Sequence, residues 1–442
     1  MTPDLFPGLV ALVHMLLSAS AFEPARRAAA ALSEIPRDSL APMDQVRYDV
    51  SLALVTLTTT ATQPSTHAAI IQRALDTADR ALAVGDLHVA TEFTHSSLRL
   101  LFHRELHADG HHSPLVDEPE AFLSAWHSSD VGELLQLSAA PRRQDVSRIS
   151  HRDSDRRKND LPQRPRVLVL PGSYPNFCSP VIESLGRVCT TRVIDLSQRP
   201  MLGGNGPNRD MLELRMRHAI DPTFVPSAEI ASEMAVSDAV FVDWADRGAL
   251  LATMSVPARV PLILRIHSMD ALSPWIHLVD WSRVDDLIFV SEHLKTVVKR
   301  LLKDRLSQTR LHVIPNIIEP SRTAVTMADG NNRRILMIGW GQRVKDPLWA
   351  LEVLAMLRSE DPRWEIVLVG RRFDPHQSVS MRDYAQAFDE RLSREDIRGS
   401  VEIVDFTPDL RAQLNTCGFV ISSSRRESFA VGLLEAAASG LV

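Results

Sequence analysis

The chain of 442 residues is long enough for two or three domains, and its composition is that of an ordinary folded protein rather than a disordered or fibrous one. A formal net charge of -6, with no strongly basic half, argues against a nucleic-acid partner. Cys178, Cys189 and Cys417 are odd in number and far apart, which gives neither a disulfide framework nor metal-ligand spacing and fits a reducing cytoplasm.

Residues 9–17 are apolar and residues 18–21 small, the layout of a signal peptide. The start carries Asp4 and no basic residue, and the run is too short to cross a bilayer, so it predicts the first helix of a bundle. Up to residue 140 apolar side chains recur at helical spacing and no strand pattern emerges. Helices are expected over residues 24–34, 44–57, 66–83 and 87–107, divided by Pro or Gly. Residues 81–90 faintly resemble the helical turn of tetratricopeptide repeats, which makes residues 1–140 an all-α candidate for contact with a protein partner. His103, His107 and His111 recur every fourth residue, but Glu105 is misplaced for a metalloprotease helix and Gly110 should end the helix. They read as a surface stripe, not a metal site.

Residues 141–164 shift to Arg, Asp, Ser, Asn and Pro, too polar to offset their ordering entropy, and predict a flexible linker. Arg156-Arg157-Lys158 would allow at most peripheral contact with the inner face of a membrane. Asp153-Ser-Asp155 has the spelling of metal-dependent transferases, yet no strand precedes it and it reads as coincidence.

Residues 165–322 alternate short apolar runs with helical stretches. Strands are expected at 166–170, 193–194, 239–242, 262–266, 287–290 and 311–314, which together predict a doubly wound α/β domain with ligand groups at the carboxyl ends of its strands. The loop Pro171-Gly-Ser-Tyr-Pro-Asn176 would line that crevice, and residues 199–229 read as a mobile insertion around a helix near 211–218. A second α/β unit, residues 323–442, opens with the strand 334–338 and continues with strands at 364–369, 401–404 and 419–421.

The last of these strands runs into Ser422-Ser-Ser-Arg-Arg-Glu427-Ser-Phe-Ala-Val-Gly-Leu-Leu-Glu435 and then Ala-Ala-Ala-Ser-Gly440. Glu427 lies in the turn and Glu435 on the following helix, which at ~1.5 Å rise per residue separates the carboxylates by roughly 10 Å. That distance is too long for an acid/base pair on one bond and suits an elongated ligand held at two places. Between them the amides of Ser428, Phe429, Ala430 and Val431 lead into a helix N-terminus, which attracts phosphate. The ligand expected from these residues is a nucleotide-diphosphate sugar.

The Glu-seven-residues-Glu element after a Ser-rich turn, followed by Ala-Ser-Gly, resembles the signature of family 4 retaining glycosyltransferases with the GT-B fold. The resemblance extends over residues 166–442. It implies two Rossmann-like doubly wound domains, an acceptor domain and then a donor domain, placed after the all-α region. Arg265-Ile-His267-Ser-Met-Asp270 is similar to the family's strand ending in a His that faces the donor sugar, and Asp286-Leu-Ile-Phe-Val-Ser291 and Val313-Ile-Pro-Asn316 also match. Gly339-Trp-Gly-Gln-Arg343-Val-Lys345-Asp-Pro347 resembles the family's phosphate loop. Lys345 is in register, whereas Trp340 stands where the family has Arg, and Arg343 is the candidate replacement with its planar fork.

By resemblance His267 and Glu427 are the catalytic candidates. Gly339, Arg343, Lys345, Gly370, Phe406, the amides of residues 428–431 and Glu435 are the donor-binding candidates. The implied reaction moves a sugar to a hydroxyl of a glycan, lipid or other carbohydrate with retention, using neither a metal nor a cofactor, in the cytoplasm. Family members continue beyond the point where this sequence stops, so the resemblance also implies an incomplete second domain. The competing expectation is a non-catalytic GT-B-like remnant with a helical interaction domain in polysaccharide assembly, which Trp340 and Ala430 (commonly Gly in the family) favour. A GT-B sugar-nucleotide epimerase is a weaker third reading.

Overall fold

Runs of Val, Ile and Leu too short for helices form ten parallel strands among the described residues. The computed structural model describes residues 3–59, 67–107, 112–136, 164–196, 207–318, 333–376, 378–407 and 409–442. The predicted linker, with Asp153, Asp155 and Arg156-Arg157-Lys158, lies outside these, apart from Arg164, and so does His111.

Contacts divide the chain into two units. One consists of Met1–Ile70, His103–Asp117 and Ile318–Val442, the other of Ile71–Phe102 and Glu118–Ile317. The second contains six strands: β1 (Arg166–Leu170), β2 (Thr190–Val193), β3 (Ala239–Asp243), β4 (Leu262–Ile266), β5 (Asp286–Phe289) and β6 (Arg310–Val313). Their order is β2-β1-β3-β4-β5-β6. The first contains β7 (Arg334–Ile338), β8 (Glu365–Val369), β9 (Val401–Val404) and β10 (Phe419–Val420) in the order β10-β7-β8-β9. These are the two parallel α/β sheets that the resemblance implies, preceded by helices. The edge strand β2 starts earlier than expected, because its Thr190-Thr-Arg sequence is mostly exposed and carries little apolar signal.

Strand side chains alternate between faces. In the four-stranded unit Ile335, Met337, Ile366 and Leu368 meet Ala350, Leu351, Leu354 and Phe388 on one face. Leu336, Val367 and Val369 meet Leu414, Cys417 and Ala436 on the other. Helices therefore cover both faces, the doubly wound arrangement. Strand order reverses between β7 and β10 here, and between β1 and β3 in the six-stranded unit. Open parallel sheets bind ligands at the carboxyl ends of the strands flanking such a reversal.

The helical part holds Phe6–Ser18, Phe22–Ser33, Pro42–Thr59, Ala68–Ala83 and Leu87–Leu101. Gly85, at φ 76, and a hydrogen bond from the Asp86 amide to the Ala81 carbonyl (2.9 Å) end the fourth, while the Asp86 carboxylate caps the fifth at Val89 N (3.1 Å). The predicted helix over 87–107 is interrupted: Phe102 caps its first part and Arg104–His107 forms a separate short helix. His103 and His107 therefore do not share one continuous face. Nor is His107 on the surface, being 1% exposed with Nδ1 3.0 Å from Ser113 Oγ.

The expected insertion, residues 199–229, holds the helix expected near 211–218. Beyond residue 206 it forms the helix Arg209–Ile220, with Met211, Leu212 and Met216 buried. Its Arg215 guanidinium donates to the carbonyls of Leu278 (2.7 Å) and Leu135 (2.9 Å), tying two helix ends to it.

Candidate active site

The four-stranded unit gathers its polar groups where β7 and β10 end. After β7 the chain turns at Gly339, whose φ of 74 suits glycine, and passes so close to the next loop that a Cβ on Gly341 would lie 1.8 Å from the Arg371 carbonyl oxygen. Trp340 between them is fully buried, stacked on Phe388 (5.0 Å) and edge-on to Phe373 (5.1 Å). The position where the resemblance calls for Arg thus belongs to the core.

A short turn, Arg343–Lys345, follows, with Arg343 and Lys345 partly exposed. Lys345 Nζ forms an ion pair with Glu427 Oε2 from the turn after β10, 82 positions away in sequence. The backbones of the two loops are stitched as well. Ser423 Oγ donates to the carbonyls of Lys345 (2.8 Å) and Asp346 (3.0 Å), and Arg425 N donates to the Val344 carbonyl (2.9 Å).

Asp346 stands at the N-cap of the helix Pro347–Glu360 but does not cap it with its side chain. Its backbone is left-handed (φ 50, ψ 53), and its buried carboxylate accepts from Arg425 Nε (2.7 Å) and the Tyr384 hydroxyl (2.8 Å). The tyrosine oxygen in turn accepts the Leu348 amide (3.1 Å), so Tyr384 caps the helix in place of Asp346. Burial raises the Tyr384 pKa, and the neighbouring Asp346 charge adds to it, so the hydroxyl stays protonated and able to donate.

The helix that follows Glu427 is Val431–Ala438, with Ala430 as N-cap. It opens later than the sequence suggested: Phe429 precedes it, and the Val431 amide is spent on the Phe429 carbonyl (2.9 Å). The Leu434 amide bonds the Ala430 carbonyl (3.1 Å), so the amides of Gly432 and Leu433 are the ones this first turn leaves without a helical acceptor. That end rests on β7, since a Cβ on Gly432 would lie 3.1 Å from Ile338 Cγ2. Ser428 lies in the turn and Glu435 sits half-buried on the helix. Gly370 ends β8 with φ 140, and the exposed Phe406 after β9 has the Arg371 guanidinium 5.8 Å from its ring centre.

Arg426, beside Glu427, donates to the His107 carbonyl, and Glu105 Oε1 accepts the Ser380 amide (3.1 Å) at the start of the helix Val379–Leu392. The short segment 103–117 is thereby bound to the same unit as the Glu427 turn.

His267 belongs to the six-stranded unit, at the end of β4. It is 4% exposed; Nε2 lies 3.0 Å from Asp243 Oδ1, its amide donates to Asp270 Oδ2 (2.8 Å), and Trp244 stacks on its ring at 4.0 Å. Because a carboxylate only accepts, the neutral ring carries its proton on Nε2. Burial lowers the His267 pKa, against the pull of Asp243. Arg265 grips Asp243 through two bonds of 2.8 and 2.7 Å. Burial alone would raise the Asp243 pKa, but the bonds from Arg265 and His267 outweigh it and hold it low. Asp243, Trp244 and Asp246 were not singled out from sequence; an acidic residue closing the apolar run 239–242 was the available signal.

Comparisons with known proteins bear on the same residues. Residues 332–442, which include β7 to β10 and the Glu427 turn, match the family model described as Glycosyl transferases group 1. A GDP-mannose:cellobiosyl-diphosphopolyprenol alpha-mannosyltransferase from Xanthomonas oryzae pv. oryzae is 27% identical over 142 residues, 32% of this chain and 36% of that protein. Its counterpart from Xanthomonas campestris is 26% identical over 137 residues, 31% and 34% respectively. The matched stretch thus spans about a third of these curated relatives. Among solved structures, Anabaena HepE in complex with UDP and glucose has a TM-score of 0.44 at 16% identity, covering 63% of this chain and 79% of that one. A glycosyltransferase from Rickettsia africae has a TM-score of 0.44 at 15% identity, covering 64% and 79%.

Proposed function

We propose that this chain is a retaining, metal-independent glycosyltransferase that moves a sugar from a nucleotide-diphosphate donor to a hydroxyl of a glycan carried on a lipid diphosphate. The observation that carries the reading is the Lys345–Glu427 pair at the mouth of the β7/β10 reversal, inside the segment that matches the family model. The acceptor class follows the printed activity of the Xanthomonas relatives. Among the described residues no helix is long and apolar enough to cross a membrane, and the proposed place of action is the cytoplasmic face, with peripheral contact only.

Cleaving a sugar–diphosphate bond leaves negative charge on the phosphate and positive charge on the ring. Fixed cations and amides beside the leaving group lower that barrier without reorganising. Lys345, Arg343 and the leading amides of the helix Val431–Ala438 would hold the diphosphate. Glu427 would take sugar hydroxyls, Glu435 ribose hydroxyls, and Gly370 and Phe406 would border the base. His267, in the six-stranded unit, stays the other catalytic candidate by resemblance. At rest Lys345 already has an anionic partner, so donor binding would exchange Glu427 for the diphosphate and leave the Glu427 carboxylate to the sugar hydroxyls.

A second reading, a non-catalytic remnant with a protein partner on its helices, is favoured by Trp340 being locked in the core where the resemblance implies Arg. Consumption of a panel of labelled nucleotide sugars decides between them. The wild type should consume one donor, and Glu427→Ala and Lys345→Ala should each lose roughly 100-fold or more. Equal consumption by all three proteins, or none by the wild type, overturns the proposal.

A further inference from the structure

The six-stranded unit has its own strand reversal, between β1 and β3, and the loops leaving these strands carry an aromatic patch. Tyr174 is 46% exposed and Phe177 38% exposed, with ring centres 4.8 and 6.0 Å from that of Trp244. A contiguous exposed apolar patch is a candidate interaction site, and the two rings meet across Trp244 to form one. Here they sit at the place where parallel sheets bind ligands.

The patch is held rigid from below. Ser173 donates its amide and its hydroxyl to Asp246 Oδ2, both at 2.9 Å. Gly172 lies so close to the loop after β3 that a Cβ would come within 2.4 Å of the Asp243 carbonyl oxygen and 2.6 Å of Trp244 Cβ. Arg265 donates to the Phe177 carbonyl (2.8 Å) with the guanidinium that also grips Asp243. Trp244 has a φ of 73, a backbone conformation costly for a non-glycine residue, and such strain persists where the surroundings fix a functional geometry. Preformed, immobile aromatic faces bind without losing much side-chain entropy.

We propose that Tyr174 and Phe177 form a stacking platform for a pyranose ring of the acceptor. The inference rests on the glycosyltransferase reading and gives its acceptor side a ligand class. A pyranose presents an apolar C–H face that fits a flat ring and a rim of hydroxyls that needs a polar neighbour; half-buried Ser173, whose Oγ proton goes to Asp246, keeps lone pairs to accept from such a hydroxyl, while Asp243 and Asp246 themselves are buried. An isoprenoid chain would have no use for that acceptor.

The test is ligand-observed NMR titration of the full chain with glucose, mannose, galactose and cellobiose, with farnesyl diphosphate and the nucleoside diphosphates UDP and GDP in separate arms. At least one saccharide should bind the wild type saturably. Tyr174→Ala should weaken it roughly tenfold and Tyr174→Phe should retain it, with nucleoside diphosphate binding and the melting temperature unchanged in both. Absence of saturable binding to every saccharide, equal saccharide binding by wild type and Tyr174→Ala, or a Tyr174→Ala loss confined to farnesyl diphosphate overturns the platform. Failure of the nucleoside diphosphate arm alone counts against the donor reading and leaves the platform standing.

Discussion

Placing at position 340 the Arg that the resemblance implies is the sharpest perturbation of this site, because resemblance and geometry give opposite answers. If Trp340 occupied a donor-facing position, Trp340→Arg would improve diphosphate binding. Its side chain is instead fully buried between Phe388 and Phe373. Burying a Trp removes roughly 150–250 Å² from water, which at ~25 cal/mol per Å² is about 4–6 kcal/mol. An Arg stem regains part of this, but an unpaired guanidinium in the same space costs several kcal/mol more, on the order of a domain's whole stability. Trp340→Arg should therefore give little folded protein and a urea midpoint far below wild type. Trp340→Phe should stay within about 1.5 kcal/mol, since it keeps an aromatic ring and removes an indole N–H that has no hydrogen-bond partner. A Trp340→Arg protein as stable as wild type and binding nucleoside diphosphate more tightly would refute the reasoning.

Three further outcomes follow from particular contacts. Tyr384→Phe removes the oxygen joining Leu348 N to Asp346 and should lower stability by about 1–3 kcal/mol in a denaturant titration, while a surface Tyr→Phe change would cost nothing measurable. His277 is completely buried with neither ring nitrogen hydrogen-bonded, and burial, with the Arg305 and His127 charges, lowers its pKa well below the usual value. The unfolded chain then binds more protons below about pH 6.5, so His277 makes the fold less stable as pH falls through that value and has no such effect above it. His277→Phe should raise the melting temperature relative to wild type at pH 5.5 more than at pH 8; Asp270, whose burial-raised pKa acts in the opposite sense, is common to both proteins and cancels. Arg265→Met should destabilise by about 3–5 kcal/mol, because it strands the buried Asp243 carboxylate, and Asp243→Asn in the same chain should recover part of the loss.

The strands were legible because a parallel sheet covered on both faces turns each strand into an unbroken apolar run. The 334–338 and 364–369 runs show it, with successive residues serving opposite clusters. The Glu427 turn was legible because residue types and order alone mark a Ser turn before an Ala-rich helix. What stayed hidden depends on which way a side chain points. Trp340 lies in a loop whose glycines suggest exposure, and only the fold shows the indole turning inward. Tyr384 sits within the helix Val379–Leu392, so nothing near it in sequence indicates that its hydroxyl caps another helix. Helical spacing up to residue 140 shows that one face of each helix is covered but not by what. Leu87–Leu101 packs in the six-stranded unit, where Thr91 Oγ1 meets Met216 Sδ at 3.3 Å, while His107 belongs with the unit of the Glu427 turn.

Calorimetric titration of UDP and GDP into the wild type, Lys345→Ala and Glu427→Gln most directly tests whether the turn after β10 and the loop after β7 bind a diphosphate. One nucleotide should bind the wild type, Lys345→Ala should weaken it at least roughly tenfold, and Glu427→Gln, which frees Lys345 from its carboxylate, should bind it as tightly or more tightly. Undiminished affinity in Lys345→Ala, or a loss in Glu427→Gln equal to that in Lys345→Ala, would contradict the assignment.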